Sequence, residues 1–265
     1  MKISMILNGK KTEAEIDADM LLIDFVRSQG CYSVKRGCET SNCGLCTVFL
    51  EGKPVLSCSV LAARANGCKV DTLEGLQEEA EEFGSFIAGQ GAEQCGFCNP
   101  GMIMNAIALF RENPDPSEEE IKEYLAGNLC RCTGYKKIED AILMAAEFFR
   151  EKKPIPPAPK TLHMDEHAKR IDAAEKVNGS GIFADDITVD GMLYARCIYS
   201  RYPRARIERI DISRAQAHPD CVRVLTKGDV PCNKIGHIKQ DWDVMIAEGD
   251  ITRCVGDAIC LVVAE

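Results

Sequence analysis

The sequence contains no run of about 18 apolar residues, so it lacks the segment that a membrane-spanning helix requires. It also has no excess of basic residues: the net charge is −9, which argues against nucleic acid as a partner, because phosphate binding needs a basic face. The N-terminal stretch MKISMILNGKK alternates apolar and polar positions. It therefore lacks the continuous apolar core of about 7–15 residues that a secretory signal has. These absences predict a cytoplasmic protein with neither nucleic acid nor membrane as a partner.

Cysteine, in contrast, is abundant, with 15 copies among 265 residues. The length allows two or three domains, and 46% apolar with 28% charged residues is typical of a globular protein. In a reducing compartment, clusters of cysteine indicate metal sites rather than disulfides. Eight of the cysteines form two groups with the spacing of metal ligands, which are Cys38, Cys43, Cys46 and Cys58, and Cys95, Cys98, Cys130 and Cys132.

The first group follows the pattern C-x4-C-x2-C, then eleven residues and a fourth cysteine. This is the spacing of a plant-type 2Fe-2S cluster, whose loop directs backbone N–H groups at the cluster sulfur atoms. Gly37 and Gly44 give the loop flexibility, and Asn42 is predicted to adopt a positive φ. Structural zinc is the alternative, although two C-x2-C pairs would be its expected pattern.

The second group combines Cys95-x2-Cys98 with Cys130-x-Cys132, separated by two predicted helices. Taken alone, these residues fit a zinc site and an iron–sulfur site equally well.

Periodicity divides the chain into an α+β multidomain protein. Residues 1–73 predict a small β-grasp sheet, with a hairpin at Asn8-Gly9 and a helix over 20–29. Residues 74–153 predict a four-helix bundle, with helices over 77–88, from Asn99 to about Glu112, after Ser117 and over 139–152. A proline-rich linker occupies 154–164. The remaining region, 165–265, contains strand-like runs over 193–199, 221–225 and 258–263.

The stretches QCGFCNPGMIM and GNLCRCTGY closely resemble the second 2Fe-2S domain of the molybdenum hydroxylases, the xanthine dehydrogenase and aldehyde oxidoreductase family. The first cysteine group is similar to the ferredoxin-like domain of that family, and the resemblance covers residues 1–152. The stretch beginning GSGIFADDITVDGMLYARC resembles the opening of the family's α/β hammerhead domain. It departs from the pattern at Arg204-Ala205-Arg206, where a histidine is frequent.

This resemblance implies two 2Fe-2S clusters, of which the one on Cys95, Cys98, Cys130 and Cys132 lies nearest the molybdopterin. Gln94 and Cys132 match positions that contact the pterin in the family. The resemblance places no catalytic residue in this chain, because the large domains with the pterin-binding loops and the catalytic glutamate do not follow. A molybdenum-binding subunit or continuation is therefore implied, and FAD is expected on a separate subunit, since no flavin domain interrupts the chain.

The resulting expectation is the electron-transfer part of a molybdenum hydroxylase that acts on a purine or an aldehyde. A free-standing two-cluster carrier and a zinc-stabilised interaction module are the alternatives. The other cysteines have no ligand spacing and are expected in the core. His163 and His167, spaced i,i+4, are expected in solvent, as is the acidic run at residues 78–82.

Overall fold

The computed structural model describes residues 1–151, 153 and 169–265. These residues form two compact units, Met1–Asp186 and Ile187–Glu265, which are described separately. The predicted linker over 154–164 and the pair His163 and His167 lie outside the described residues. No helix in the described part of the chain is long and apolar enough to cross a membrane.

The first unit begins with a five-stranded sheet in the order β2-β1-β5-β3-β4. Strand β1 runs parallel to β5, and the other neighbours are antiparallel. The strands are β1 (Lys2–Leu7), β2 (Lys10–Glu15), β3 (Thr47–Leu50), β4 (Lys53–Leu56) and β5 (Lys69–Asp71). The sheet confirms the predicted β-grasp fold.

Helix α1 (Leu22–Ser28) completes this part of the unit because its apolar face shares one core with the sheet. Its buried residues are Leu22, Ile23, Phe25 and Val26. The chain then passes from α1 to β3 through a loop that carries Cys38, Cys43 and Cys46 of the first cysteine group. The helix and the sheet therefore hold the two ends of that loop.

Four helices follow and form a second core, with edge-to-face contacts among phenylalanine rings from three of them. They are α2 (Gln77–Gly89), α3 (Asn99–Glu112), α4 (Glu118–Leu125) and α5 (Lys136–Arg150). Ser117 and Glu120 form the predicted capping box at the start of α4. Helix α5 begins three positions earlier than predicted, directly after Tyr135, which has a φ of 70°.

The described segment over 169–186 packs on the helices of the first unit. Its short helix α6 (Ala173–Val177) buries Val177 in the helical core. Asp186, at the end of the segment, is buried against Lys35 and Arg27. The compact units therefore divide after Asp186, about twenty residues later than the boundary predicted at 165, which stays a prediction.

The second unit has a three-stranded antiparallel sheet in the order β6-β10-β7. Its elements are β6 (Tyr194–Tyr199), α7 (Ser213–Gln216), β7 (Cys221–Leu225), a two-stranded ribbon of β8 (Lys234–Ile235) and β9 (Trp242–Asp243), and β10 (Ala258–Ala264). The predicted strand at the end of the given sequence is thus the central strand of this sheet.

Candidate metal centres

The first cysteine group, which we call the outer site, lies on the loop between α1 and β3 and just after β4. Its thiols are neighbours in two pairs: besides burial, Cys38 acts to raise the pKa of Cys43, and Cys58 acts to raise the pKa of Cys46. Cys38 Sγ also accepts hydrogen bonds from the backbone N–H groups of Asn42, at 3.4 Å, and Thr40, at 3.5 Å. The loop therefore folds around the sulfur atom of Cys38 through its own backbone hydrogen bonds.

Positive φ angles give this loop its tight course. Glu39 has a φ of 53° and Ser41 a φ of 60°, which L side chains adopt at an energetic cost. The expectation that Asn42 would adopt a positive φ is wrong. Its backbone N–H is directed at Cys38 Sγ and its side-chain amide donates to Thr40 at 2.9 Å, so the left-handed positions fall on Glu39 and Ser41 instead.

The second group, which we call the inner site, joins the turn before α3 to the loop between α4 and α5. The sulfur atoms of Cys95 and Cys132 lie 3.7 Å apart, and Cys98 is close enough to Cys130 that, besides burial, this neighbour acts to raise the pKa of Cys98. Two thiolates on one tetrahedral metal ion, with bonds of about 2.3 Å, would lie about 3.8 Å apart. The 3.7 Å separation, at which the Cys132 thiol donates to Cys95, therefore also fits two thiolates that share one ion.

The pairing at both sites favours a two-metal cluster over a single ion. Within residues 1–151, 153 and 169–265, no three His, Cys, Asp or Glu side chains surround one ion position. The thiols approach each other two by two instead. In a 2Fe-2S cluster each iron takes two protein ligands, so both sites fit such a cluster better than one structural zinc ion.

The outer site is asymmetric in its electrostatics. Hydrogen bonds from the Asn42 and Thr40 backbone lower the pKa of Cys38 to about 6. Burial raises the pKa of Cys46 to about 11, and it also raises the pKa of Cys43. Because a metal binds thiolates, loading this site releases protons chiefly from the buried thiols.

In the inner site, too, the pKa of one thiol is raised and that of another is lowered. Burial raises the pKa of Cys98, with the neighbouring Cys130 as a second cause. Burial acts to raise the pKa of Cys130 too, but hydrogen bonds from Thr133 outweigh it and lower that pKa. The Thr133 backbone N–H donates to Cys130 Sγ at 3.4 Å, and the Thr133 hydroxyl lies 3.0 Å from the same sulfur, where it would donate to the thiolate.

The two sites are close neighbours in the first unit. A cavity of about 250 Å³ is lined by thiols from both, namely Cys38, Cys43, Cys95, Cys98, Cys130 and Cys132. Where the two sites meet, which we call the joint, the backbone N–H of Leu129 donates to the carbonyl oxygen of Cys43 at 2.8 Å. Leu129 precedes Cys130 in the chain, so one hydrogen bond and a few covalent bonds connect a ligand of each site.

Two glycines allow this close approach. A Cβ added at Gly44, where φ is +70°, would lie 2.6 Å from the Gly127 carbonyl oxygen and from the Asn128 side chain. A Cβ at Gly101, on α3, would lie 2.5 Å from the Gly44 carbonyl oxygen. The loop of the outer site therefore meets the helical part backbone to backbone.

The inner site opens to the surface on one side. Cys98 and Cys130 are buried, whereas Cys95 and Cys132 are exposed. Gln94 is exposed beside Cys95, and its carbonyl oxygen accepts a hydrogen bond from Arg170. The two residues expected to contact the pterin, Gln94 and Cys132, thus lie on the same open side of this site.

A buried ion pair beside the inner site was not predicted from the sequence. Lys35 Nζ lies 2.6 Å from Asp186 Oδ2, and both side chains are at most 1% exposed. The ammonium also lies 5.7 Å from the ring centre of Phe97 and 4.6 Å from that of Phe183. In the sequence, Phe97 stands between the inner-site cysteines Cys95 and Cys98. A pair separated by 151 positions leaves no local signal.

The seven other cysteines differ in burial. Cys31 and Cys260 are buried as expected, and Cys232 is exposed, which contradicts the expectation of a core position. The other four are partly buried. None of the fifteen forms a disulfide, and all lie within the described residues.

Three family models match the chain. They are described as a 2Fe-2S iron–sulfur cluster binding domain over residues 5–82, a [2Fe-2S] binding domain over 72–143, and the a/b hammerhead domain of aldehyde oxidase and xanthine dehydrogenase over 178–265. The first two together contain all eight paired cysteines.

Individual relatives are similar to this chain over its first part or over nearly all of it. The nicotinate dehydrogenase small FeS subunit of Eubacterium barkeri is 43% identical over 148 residues, which are 55% of this chain and 94% of that protein. The aldehyde oxidoreductase of Megalodesulfovibrio gigas is 33% identical over 98% of this chain, which spans only 31% of its length. The solved structure of the aldehyde oxidoreductase from Desulfovibrio gigas matches all of this chain, and 32% of its own, with a TM-score of 0.85 and 32% identity.

Proposed function

The chain belongs to the xanthine dehydrogenase and aldehyde oxidoreductase family of molybdenum hydroxylases, and from this premise we propose how it serves the reaction. It is an oxidoreductase component, and its role is to carry electrons from a molybdopterin through the inner and then the outer site. The final acceptor is a flavin on a separate subunit or another carrier. The observation that carries this proposal is the pair of four-thiol sites joined through Leu129 and Cys43.

When bound, a 2Fe-2S cluster supplies one-electron transfer, while the protein supplies its position and tunes its potential. The chain's own part is to hold the two sites in contact. The N–H of Leu129 bonds to the Cys43 carbonyl, and the side-chain amide of Asn128 donates to the carbonyl oxygen of Gly44 at 3.3 Å. These contacts keep one ligand of each site at a constant, short separation.

The proposed order of the sites is supported by the exposure of their ligands. Gln94 and Cys132 lie on the open side of the inner site and are proposed to contact the pterin, which a partner chain or further domains would hold. A thiolate ligand that also touches the pterin would connect the two centres directly. The outer site is then left to face the acceptor, and its ligands Cys38 and Cys58 are partly exposed.

The substrate is proposed to be a purine or an aldehyde. Relatives named for xanthine and for aldehydes support these two classes. The proposed location is the cytoplasm, which is consistent with fifteen cysteines that form no disulfide in the described residues.

Metal and sulfide analysis of the purified protein tests the proposal. We expect about four irons and four acid-labile sulfides per chain, since each four-thiol site holds one 2Fe-2S cluster. About two zinc ions per chain without sulfide would contradict the proposal and support a zinc-stabilised interaction module.

Fractionation of native cell extract separates the proposal from a free-standing carrier. We expect the protein to co-purify with molybdenum, either on a partner subunit or on a continuation of the same polypeptide. Isolation of both clusters in a monomer that carries no molybdenum would instead favour an independent electron carrier.

A further inference from the structure

Asn99 is a buried polar side chain with an unused donor. It is the first residue of α3, directly after the ligand Cys98, and it is 1% exposed. Its Nδ2 atom has no hydrogen-bond partner among the residues that the structure describes. A buried donor without a partner is costly, which points to a bound group that turns the amide or pairs with it.

The position of the amide indicates that group. Asn99 Oδ1 lies 3.6 Å from Cys98 Sγ and accepts from the thiol. A metal-bound Cys98 is a thiolate, which has no proton to donate and can only accept. A half-turn of the amide exchanges its oxygen and nitrogen, after which an N–H of Asn99 occupies the place beside the sulfur.

The neighbouring ligand already has such an arrangement. Cys130 Sγ accepts a hydrogen bond from the backbone N–H of Thr133, and as a thiolate it would also accept one from the Thr133 hydroxyl, 3.0 Å away. At Cys98, the side chain of Asn99 is the one that lies beside the sulfur, so it is placed to supply such a donor. With Asn99 turned, the two buried ligands of the inner site each have a side-chain donor.

We propose that Asn99 is a positioning residue of the inner site, donating an N–H···S hydrogen bond to Cys98 and thereby raising the reduction potential of the cluster held there. This inference rests on the proposed function, since it requires a 2Fe-2S cluster at the inner site. A reduced cluster carries one more negative charge than an oxidised one. A donor to a ligand sulfur therefore stabilises the reduced state more.

Redox titration followed by electron paramagnetic resonance tests this in the natural full-length protein. We expect Asn99→Leu to lower the ratio of reduced to oxidised inner cluster about tenfold at a given potential, which is about 59 mV for one electron. Asn99→Asp should lower it further, because it replaces the donor by a negative acceptor. Asn99→Ser keeps a hydroxyl donor and should stay closer to the unchanged protein.

Two controls isolate the effect. The outer cluster of the same molecule should keep its potential in every variant. Asn113→Leu, at the opposite end of α3, should change neither cluster, because Asn113 donates to Glu120 rather than to a cysteine.

An Asn99→Leu protein with a full inner-cluster signal at unchanged potential would overturn the inference. If that variant does not assemble the inner cluster, the comparison of Asn99→Asp with Asn99→Ser decides, and equal potentials in these two would refute it. Absence of an inner-cluster signal from the unchanged protein is a different result, which would refute the proposed function itself.

Discussion

Replacing Lys35 with methionine should destabilise the first unit strongly. The substitution removes a buried ammonium and leaves the Asp186 carboxylate in the same apolar place. Removing one member of a buried ion pair costs about 3–5 kcal/mol, because the remaining charge stays buried without its partner. Arg27 still reaches Asp186 Oδ1 at 2.9 Å, so the lower end of this range, about 3 kcal/mol, is expected.

The aromatic contacts of Lys35 add to this loss. Its ammonium lies over the rings of Phe97 and Phe183, whose centres are 5.1 Å apart. A desolvated cation over an aromatic face contributes about 2 kcal/mol or more, and methionine retains part of that contact through its sulfur. The total expected loss is therefore about 3–4 kcal/mol.

Urea unfolding, followed by circular dichroism and by the visible absorbance of the clusters, measures this loss. Lys136→Met is the matched control, because Lys136 forms its ion pair with Asp140 in solvent at 2.7 Å. Exposed pairs of this kind often contribute nothing measurable. Equal unfolding midpoints for the Lys35→Met and unchanged proteins would refute the reasoning, as would an equal loss in the control.

Two further predictions concern the joint between the sites and the response to acid. An alanine in the left-handed conformation costs about 1–2 kcal/mol. Gly44→Ala should lower the free energy of unfolding by more than this, because its Cβ would also clash with the carbonyl oxygen of Gly127. Gly52→Ala, where φ is +77° but nothing lies within 4 Å, is the control, and equal losses in urea unfolding would contradict the clash. Burial acts to raise the pKa of Asp186, but hydrogen bonds, first that from Lys35, outweigh it and lower that pKa. A depressed pKa stabilises the fold above the unfolded value of about 3.9, so this stability should be lost progressively below about pH 4. An Asp186→Asn protein with the same acid dependence of its urea midpoint would contradict this.

Local signals predicted most of the helices. Pro100 marks the first turn of α3, where Cys98 rather than Asn99 occupies the cap position and no side chain caps the helix. Ser117 with Glu120 marks the start of α4, because a capping box depends on residues within one turn. The predicted start of α5, at residue 139, is wrong by three positions. The helix begins after Tyr135, whose left-handed conformation has no signal in the sequence.

The candidate sites were predicted to a similar extent. Spacing identified the eight cysteines, but which thiols pair depends on how the two loops fold. The Lys35–Asp186 pair and the contact of Leu129 with Cys43 join positions 151 and 86 residues apart. Tertiary packing creates these contacts, so no periodicity or motif reports them.

The most direct test of two separate electron-transfer sites is electron paramagnetic resonance of the reduced protein with one ligand changed at a time. We expect Cys43→Ser to remove or alter one cluster signal and Cys98→Ser to remove or alter a second, distinct one. If both variants affected the same single signal, or if the unchanged protein gave none, the account of two adjacent 2Fe-2S sites would be contradicted.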